Sequence, residues 1–442
     1  MKIGFSKTDL KEALVPIMPV REPIEAICMY LEMGDERSIW AVLDFMDFNR
    51  LVTDSIREKI SCKTAVPCER IHILTTHNHG GGSPNIEILS DLAADGAYAA
   101  LLGAKEARMR FAFTSVDKQV SILRRLYIPQ TEGVSTLYFG ASEKNGFDSS
   151  LFKNNVIEAL KQGRTTNYIG ESAASTPDPF PHGDDELVVV EFATPSGEPI
   201  GSVVRFAAHA VCANRQGSYS SDYPYYVRRK MSEELGGIAM FLNGPCGEIA
   251  PAMQDKYEGR EATLGEYLAM VALSAIEGKA FTEIDIFKDE KREIRLPVRR
   301  EILDNCVAVP DSKAKSLPEM RRLIEVEKLL KIMDFLREKY TAGEAELGDT
   351  ISVFVGALRL GDLAIVAFPG EAFYNTGKTI KERFDGKNIC TVTEHERTVM
   401  YLPPREEIML GGYESVCRVT APNAEEALRE GVISLLSSFL DE

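Results

Sequence analysis

IHILTTHNHGGG, residues Ile71 to Gly82, begins as an apolar run and ends in two histidines one residue apart, His77 and His79. Ile71, Ile73, Leu74 and Thr75 read as a short strand. A strand that closes on His delivers an imidazole to the crevice at the carboxyl edge of a sheet, where alpha/beta proteins hold their ligands. The chain has only six His, and a third takes an equivalent place: His209 in VVRFAAHA closes the run Val203 to Ala208. A carboxylate comes from a third strand end, Glu371 in AFPGEAF. There Leu363 to Phe368 is apolar, Pro369-Gly370 is a turn and a helix is expected next, which would set Glu371 at a helix N-terminus where negative charge is favoured. Two imidazoles and one carboxylate match a zinc site with an open coordination position. No HExxH places two ligands on one helix, so the bland alternative stands beside this one. In that reading His77 and His79 are satisfied in a Gly-rich loop and His209 is a core histidine. His72, inside the strand, reads as structural; His182 and His395 read as loop or surface residues.

Working outward, short apolar runs alternate with helical patterns. Strands are expected at Ile24–Met33, Ile39–Phe45, Ile71–Thr75, Arg110–Thr114, Leu187–Ala193, Ile200–Ala207, Ile238–Leu242, Val353–Leu360, Leu363–Phe368 and Ile389–Val392. Two pairs read as antiparallel hairpins, with turns at Pro195-Ser196-Gly197-Glu198 and at Gly361-Asp362. Parallel sheets do not use such hairpins, so the class is α/β with mixed β-sheets flanked by helices. Helices are expected from Ser83-Pro84 to about Arg108, from Asp222, from Gly265 to Ile276, from a capping box at Ser316 to near Tyr340, after Glu371, and from near Asn423. In the last of these Leu428, Val432, Leu435 and Phe439 form an apolar stripe. No internal repeat is visible. Arg164 to Asp185 reads as a long surface loop.

With 442 residues, 44% of them hydrophobic, the chain can build a large core. Its formal charge of −16 and the lack of any basic run argue against a nucleic-acid partner. The N-terminus carries charges throughout and lacks a signal-peptide core, and no apolar stretch reaches the ~18–20 residues of a membrane span. Eight Cys without CxxC spacing read as reduced thiols. A cytoplasmic protein is expected.

Taken in order, THNHGGG, FAAHA, NGPCGEIAP, AFPGEAF and YLPPREE resemble the N-terminal catalytic domain of the neutral, non-lysosomal ceramidases. The resemblance spans most of the chain. It implies a single ceramidase-like catalytic domain over residues 1–442, without the C-terminal immunoglobulin-like domain of that family. It also implies one zinc ion held by His77, His209, Glu371 and Tyr401, with His79 near the metal but not a primary ligand. A Tyr phenol, pKa about 10, ligates zinc only when the metal lowers that value, so Tyr401 enters through the resemblance alone. The activity implied is hydrolysis of an amide or ester through a metal-activated water. His79 would serve proton transfer or oxyanion contact, and Tyr401 would steady the tetrahedral intermediate. Asp222 would orient a ligand His or accept a proton, or else only cap its helix. One position departs from the pattern: the family's Gly-Asp-x-Ser-Pro, with its catalytic Ser, is here Gly247-Glu248-Ile249-Ala250-Pro251. Ala250 has no hydroxyl, and no GxSxG elsewhere compensates. Cys246 reads as a small buried hydrophobe. The substrate expected is a small-molecule amide or ester, lipid-like or smaller. The competing readings are a catalytically silent metal- or ligand-binding homologue, favoured by Ala250, and a metal-dependent hydrolase of another bond such as a phosphoester. In the latter Asp44 or Asp222 would hold a second metal.

Overall fold

The computed structural model describes residues 1–116, 120–128, 133–136, 183–213, 217–251, 259–303, 329–338, 340–341 and 348–440. Three mixed sheets carry the fold. The first orders its strands Ile71–Thr75, Glu36–Leu43, Glu25–Met33, Lys2–Asp9 and Lys105–Glu106. The second runs Ile238–Asn243, Pro199–Phe206, Glu186–Ala193, Arg108–Ser115 and Thr282–Glu283. The third runs Phe287–Pro297, Thr350–Leu360, Leu363–Ala367 and Asn388–Val392.

One unit recurs in each sheet: an antiparallel hairpin, a helix, then a strand parallel to the hairpin's second arm. In the first sheet Glu25–Met33 and Glu36–Leu43 are the hairpin, Arg50–Thr64 the crossover helix and Ile71–Thr75 the parallel strand. The second repeats this with Glu186–Ala193, Pro199–Phe206, helix Asp222–Leu235 and Ile238–Asn243. The third uses Thr350–Leu360, Leu363–Ala367, helix Tyr374–Arg383 and Asn388–Val392. A parallel neighbour needs a crossover, and the crossover brings every unit's two parallel strands to an end on the same side. Those ends carry the candidate site. The repeat is one of architecture, with no matching residue pattern to reveal it.

The sheets share an inner apolar layer of Trp40, Val42 and Leu74 from the first, Val190, Val203 and Leu242 from the second, and Leu358, Ile365 and Val392 from the third. Each outer face is closed by helices: Arg50–Thr64 and Ile86–Leu102 over the first, Asp222–Leu235 and Arg260–Ile276 over the second, Ala424–Leu440 and the helical residues 329–338 over the third. Leu428, Val432, Leu435 and Phe439 are all buried, as their spacing predicts; each contributes roughly 1.5–3 kcal/mol of burial.

Every expected strand forms, with ends shifted by a residue or three. Both hairpin turns form where expected, Gly197 and Gly361 taking the positive φ that such turns require. Several expectations need correction. Helix Ile86–Leu102 is capped by Asn85, whose side chain accepts from the Ile88 amide, while Pro84 bridges Leu14; it stops at Gly103 because the next residues enter two strands. Glu371 lies not at a helix N-terminus but in the short strand Glu371–Ala372, paired in parallel with Tyr401–Leu402. The following helix begins at Tyr374, and its first amide is met by both oxygens of Glu248. His395 is fully buried, not a surface residue. His182, most of the loop from Arg164, Cys306 and the capping box at Ser316 lie outside the described residues.

Candidate active site

His77 leaves the end of Ile71–Thr75 with φ +56°, a left-handed conformation that costs a non-glycine residue about 1 kcal/mol or more. The turn is fixed from several sides. The Asn78 amide donates to Phe45 O (2.9 Å), the His79 amide to Ala210 O (3.2 Å), and Asn78 Nδ2 to Asp44 O (3.0 Å) and Ser220 O (2.7 Å). His77 Nδ1 donates to Met46 O at 3.1 Å. His209 is held in the same way: its backbone amide and its ring Nδ1 both donate to Ile249 O, at 3.1 and 3.0 Å. A carbonyl can only accept, so each ring carries a proton on Nδ1 and turns Nε2 toward the site. Glu371 arrives from the Pro369-Gly370 turn. Gly370 has φ +69°, and a Cβ there would lie 2.7 Å from Met400 O, so only glycine fits.

The donors converge. Glu371 Oε2 lies 3.1 Å from His209 Nε2 and 3.4 Å from His77 Nε2. The Tyr401 hydroxyl is 3.4 Å from His209 Nε2, and His79 Nε2 is 3.4 Å from His77 Nε2. His77, His209, Glu371 and Tyr401 are buried, whereas His79 is half-exposed. The three imidazoles each offer a nitrogen within 4.8 Å of the others.

Were both rings neutral, two acceptor nitrogens would face a carboxylate oxygen, an arrangement that needs a proton or a cation between them. Two buried carboxylates sharpen that need, because Glu394 Oε1 also stands 3.4 Å from His77 Nδ1. Burial pulls the His77 pKa down, but Glu394 and Glu371 outweigh it and hold the ring well above its ordinary value. Burial, with Arg124 and His77, pulls His209 down to about 4. Burial, His77 and His209 hold His79 well below the usual range, so it stays neutral. Burial and Glu371 push the Tyr401 phenol well above 10.

Reading by sequence did not find Arg124 or Glu394. Arg124 is buried, and its Nη2 donates to the Tyr401 hydroxyl (3.0 Å) and to Gly247 O (2.9 Å) while Nε pairs with Glu414 (2.9 Å). Nothing in its neighbourhood marks it. Glu394 follows the parallel strand Asn388–Val392 much as His77 follows its own, a placement that could have flagged it. Asp222 sits at the start of its helix with φ +56° and accepts from the Ala213 and Tyr223 amides, and burial lifts it to about 7. No described hydrogen bond joins Asp222 to an imidazole. Asp44 is paired with Arg228 at 2.8 and 2.6 Å. Ala250 is fully buried in Ile249–Pro251, opposite Ile122, one residue from the carbonyl that orients His209. Cys246 is buried in the apolar cluster between the second sheet and its helices, its thiol pushed far up by burial.

No protein-family model matches the chain, and no curated protein matches it in sequence. Solved structures do match. The crystal structure of neutral ceramidase from Pseudomonas aeruginosa superposes with a TM-score of 0.69 at 14% identity, covering 99% of this chain and 74% of that one. The chain has the neutral ceramidase fold. A ceramidase complexed with C2 matches at TM-score 0.67, again at 14% identity, over 99% of this chain and 75% of the other. At that identity the likeness is one of fold. The mixed-sheet α/β class and the ceramidase-like architecture expected from the motifs are therefore correct. Among the described residues no helix is long and apolar enough to cross a membrane.

Proposed function

We propose that this chain is a metal-dependent hydrolase of an amide or ester bond, with one divalent cation held by His77, His209, Glu371 and Tyr401. The observation that carries the reading is the convergence of donors on Glu371 Oε2. Two imidazoles whose Nδ1 protons are fixed on carbonyls aim Nε2 at one carboxylate oxygen, 3.1 and 3.4 Å away. Such donors suit zinc or another borderline ion, and the carbonyls of Met46 and Ile249 are the outer partners that ligating histidines ordinarily have. A bound cation would supply Lewis acidity, polarising a carbonyl and acidifying water.

The chain's own groups cover the remaining needs. His79 is neutral and the most exposed of the three rings, so it can take a proton and return it to a leaving group. Arg124 fixes the Tyr401 oxygen by donating to it, which leaves the phenol's own proton free to turn toward a developing oxyanion. Ala250 offers no nucleophile, so attack falls to water. Asp222, engaged by two amides, acts by holding the helix start. The fold neighbours are ceramidases, which makes a lipid-like amide the first substrate to try and small amides and esters the second.

The test is a panel of N-acyl amides and esters assayed with wild type, His79→Gln and His77→Ala. The proposal predicts turnover by wild type, a loss of about 10²–10⁴-fold for His79→Gln with metal retained, and loss of both metal and turnover for His77→Ala. Metal bound by wild type with no turnover across the panel would favour the silent reading that Ala250 supports.

A further inference from the structure

A second histidine pair that the reaction does not use follows the same segments: His72 lies five residues before His77, and His395 six before Tyr401. His72 and His395 are both fully buried. His72 Nδ1 and His395 Nε2 are 3.0 Å apart, His72 Nε2 is 3.1 Å from Asp289 Oδ1, and His395 Nδ1 is 3.1 Å from Phe354 O. Protons can be counted from these contacts. Asp289, a carboxylate, requires a proton on His72 Nε2. The carbonyl of Phe354 requires one on His395 Nδ1. The ring–ring contact requires a third on one of the facing nitrogens. Two neutral imidazoles hold only two.

We propose that His72 and His395 share one additional proton as a buried monocationic pair, and that this pair clamps the Glu394–Glu396 turn that presents Glu394 to His77.

The surroundings fit a fixed positive charge. Trp40 stacks on His72 with ring centroids 4.6 Å apart, and its Nε1, with Ser38 Oγ, donates to the far oxygen of Asp289. Glu396 Oε1 stands 3.6 Å from His395 Nε2. The other charges facing the pair are Lys291 and Arg57, both on Glu396, and Arg70 beside Asp289. The carboxylate of Asp289 at His72 Nε2, against only a carbonyl at His395 Nδ1, places the shared proton on the His72 side, and burial, foremost, pulls His395 down to about 3. His72, His395 and Glu396 also lie close enough together to hold a metal. Each ring nitrogen already has a protein partner, however, and Glu396 is matched by two cations, so a proton does there what an ion would do elsewhere. Gly356 closes over the pair; a Cβ would sit 2.5 Å from His72 Nδ1.

The turn needs such a clamp. Glu394 and Glu396 both have left-handed backbones, φ +58° and +63°. The His395 amide donates to Phe368 O, the Glu396 amide to Ile73 O, and Glu394 O accepts from the Thr75 amide, two residues before His77. Glu394 and His395 thus bind the two histidine clusters from adjacent positions. The positioning half of this proposal rests on His77 being a site residue; the shared proton does not.

The experiment is ¹⁵N NMR of the full chain labelled at histidine, at pH 7, with EDTA and with added Zn²⁺. The expected result is one ring protonated at both nitrogens and assigned to His72, its partner protonated at Nδ1 only, and neither moved by EDTA or Zn²⁺. Two neutral rings, or signals that follow the metal, overturn the shared proton. Asp289→Asn preserves volume, and it should return both rings to neutral. His395→Asn keeps the donor to Phe354 O but loses the ring–ring bond. In it, and in Asp289→Asn, the His77 signals should move toward those of Glu394→Gln. His77 signals identical to wild type in either folded variant overturn the clamp.

Discussion

At the scale of single residues, position outweighs identity. His77 and His209 differ in sequence surroundings, yet both have Nδ1 tied to a carbonyl and Nε2 aimed at Glu371. Glu394, behind His77, is the outermost link of the site. Glu394→Gln should weaken divalent-metal affinity by about 10–100-fold, checked by competition with a chelating dye; an unchanged affinity would mean that Glu394 contributes only structure. Asp44 offers a contrast, a buried acid near the site that is committed to Arg228. Arg228→Met leaves Asp44 buried without its cation and Glu25 with only Lys7, 3.6 Å away, and the loss should be about 3–5 kcal/mol in urea unfolding. A loss under about 1 kcal/mol would show that water reaches the pair.

At the scale of elements, the candidate site is a set of strand ends, and turn geometry decides where each ligand points. Gly370→Ala should destabilise by about 1–3 kcal/mol, from the left-handed backbone and the clash with Met400 O, and should lower metal content as Glu371 is displaced. Thermal unfolding together with metal analysis would show it; a variant as stable and as metal-loaded as wild type would contradict it. Much at this scale was legible. Alternating apolar runs marked ten strands, and Gly-containing turns marked two hairpins. Phe287–Pro297 escaped notice because it is heavily charged: Asp289 and Lys291 face inward, but toward the polar network around His72 and Glu396 rather than an apolar layer. Helix Arg50–Thr64 escaped because its apolar positions, Val52, Ile56 and Ile60, are sparse among charges. His77, His79, His209 and Glu371 could be named because each follows an apolar run. Tyr401 needed the family motif. Arg124 and Glu394 depend on contacts between distant segments that no local pattern encodes, and the same distance hid the partnership of His72 with His395.

At the scale of the whole molecule, three hairpin–helix–strand units lean on one apolar layer and bring their strand ends together, so the site is only as firm as that convergence. Buried charge between the units makes the fold sensitive to acid. Burial raises the Glu396 pKa, but Lys291 and Arg57 outweigh it and bring it from 4.5 to about 2; its contribution is present above 4.5 and lost as pH falls toward 2. Burial drops His395 from 6.5 to about 3, so it resists a proton that the unfolded chain accepts, and stability falls as pH drops from 6.5 toward 3. Both act in one direction. Asp222, lifted from 3.8 to about 7, acts the other way and gains stability on acidification, so the test is a difference: the fall in the thermal midpoint as pH drops from 4.5 toward 2 should be smaller in Glu396→Gln than in wild type, and equal falls would contradict this. The central claim is that three remote segments grip one divalent cation, and crystallography at the zinc absorption edge tests it most directly. One anomalous peak per chain within bonding distance of His77 Nε2, His209 Nε2 and Glu371 is the predicted result. Zinc-soaked crystals with no peak there, and the three side chains hydrogen-bonded among themselves, would contradict it.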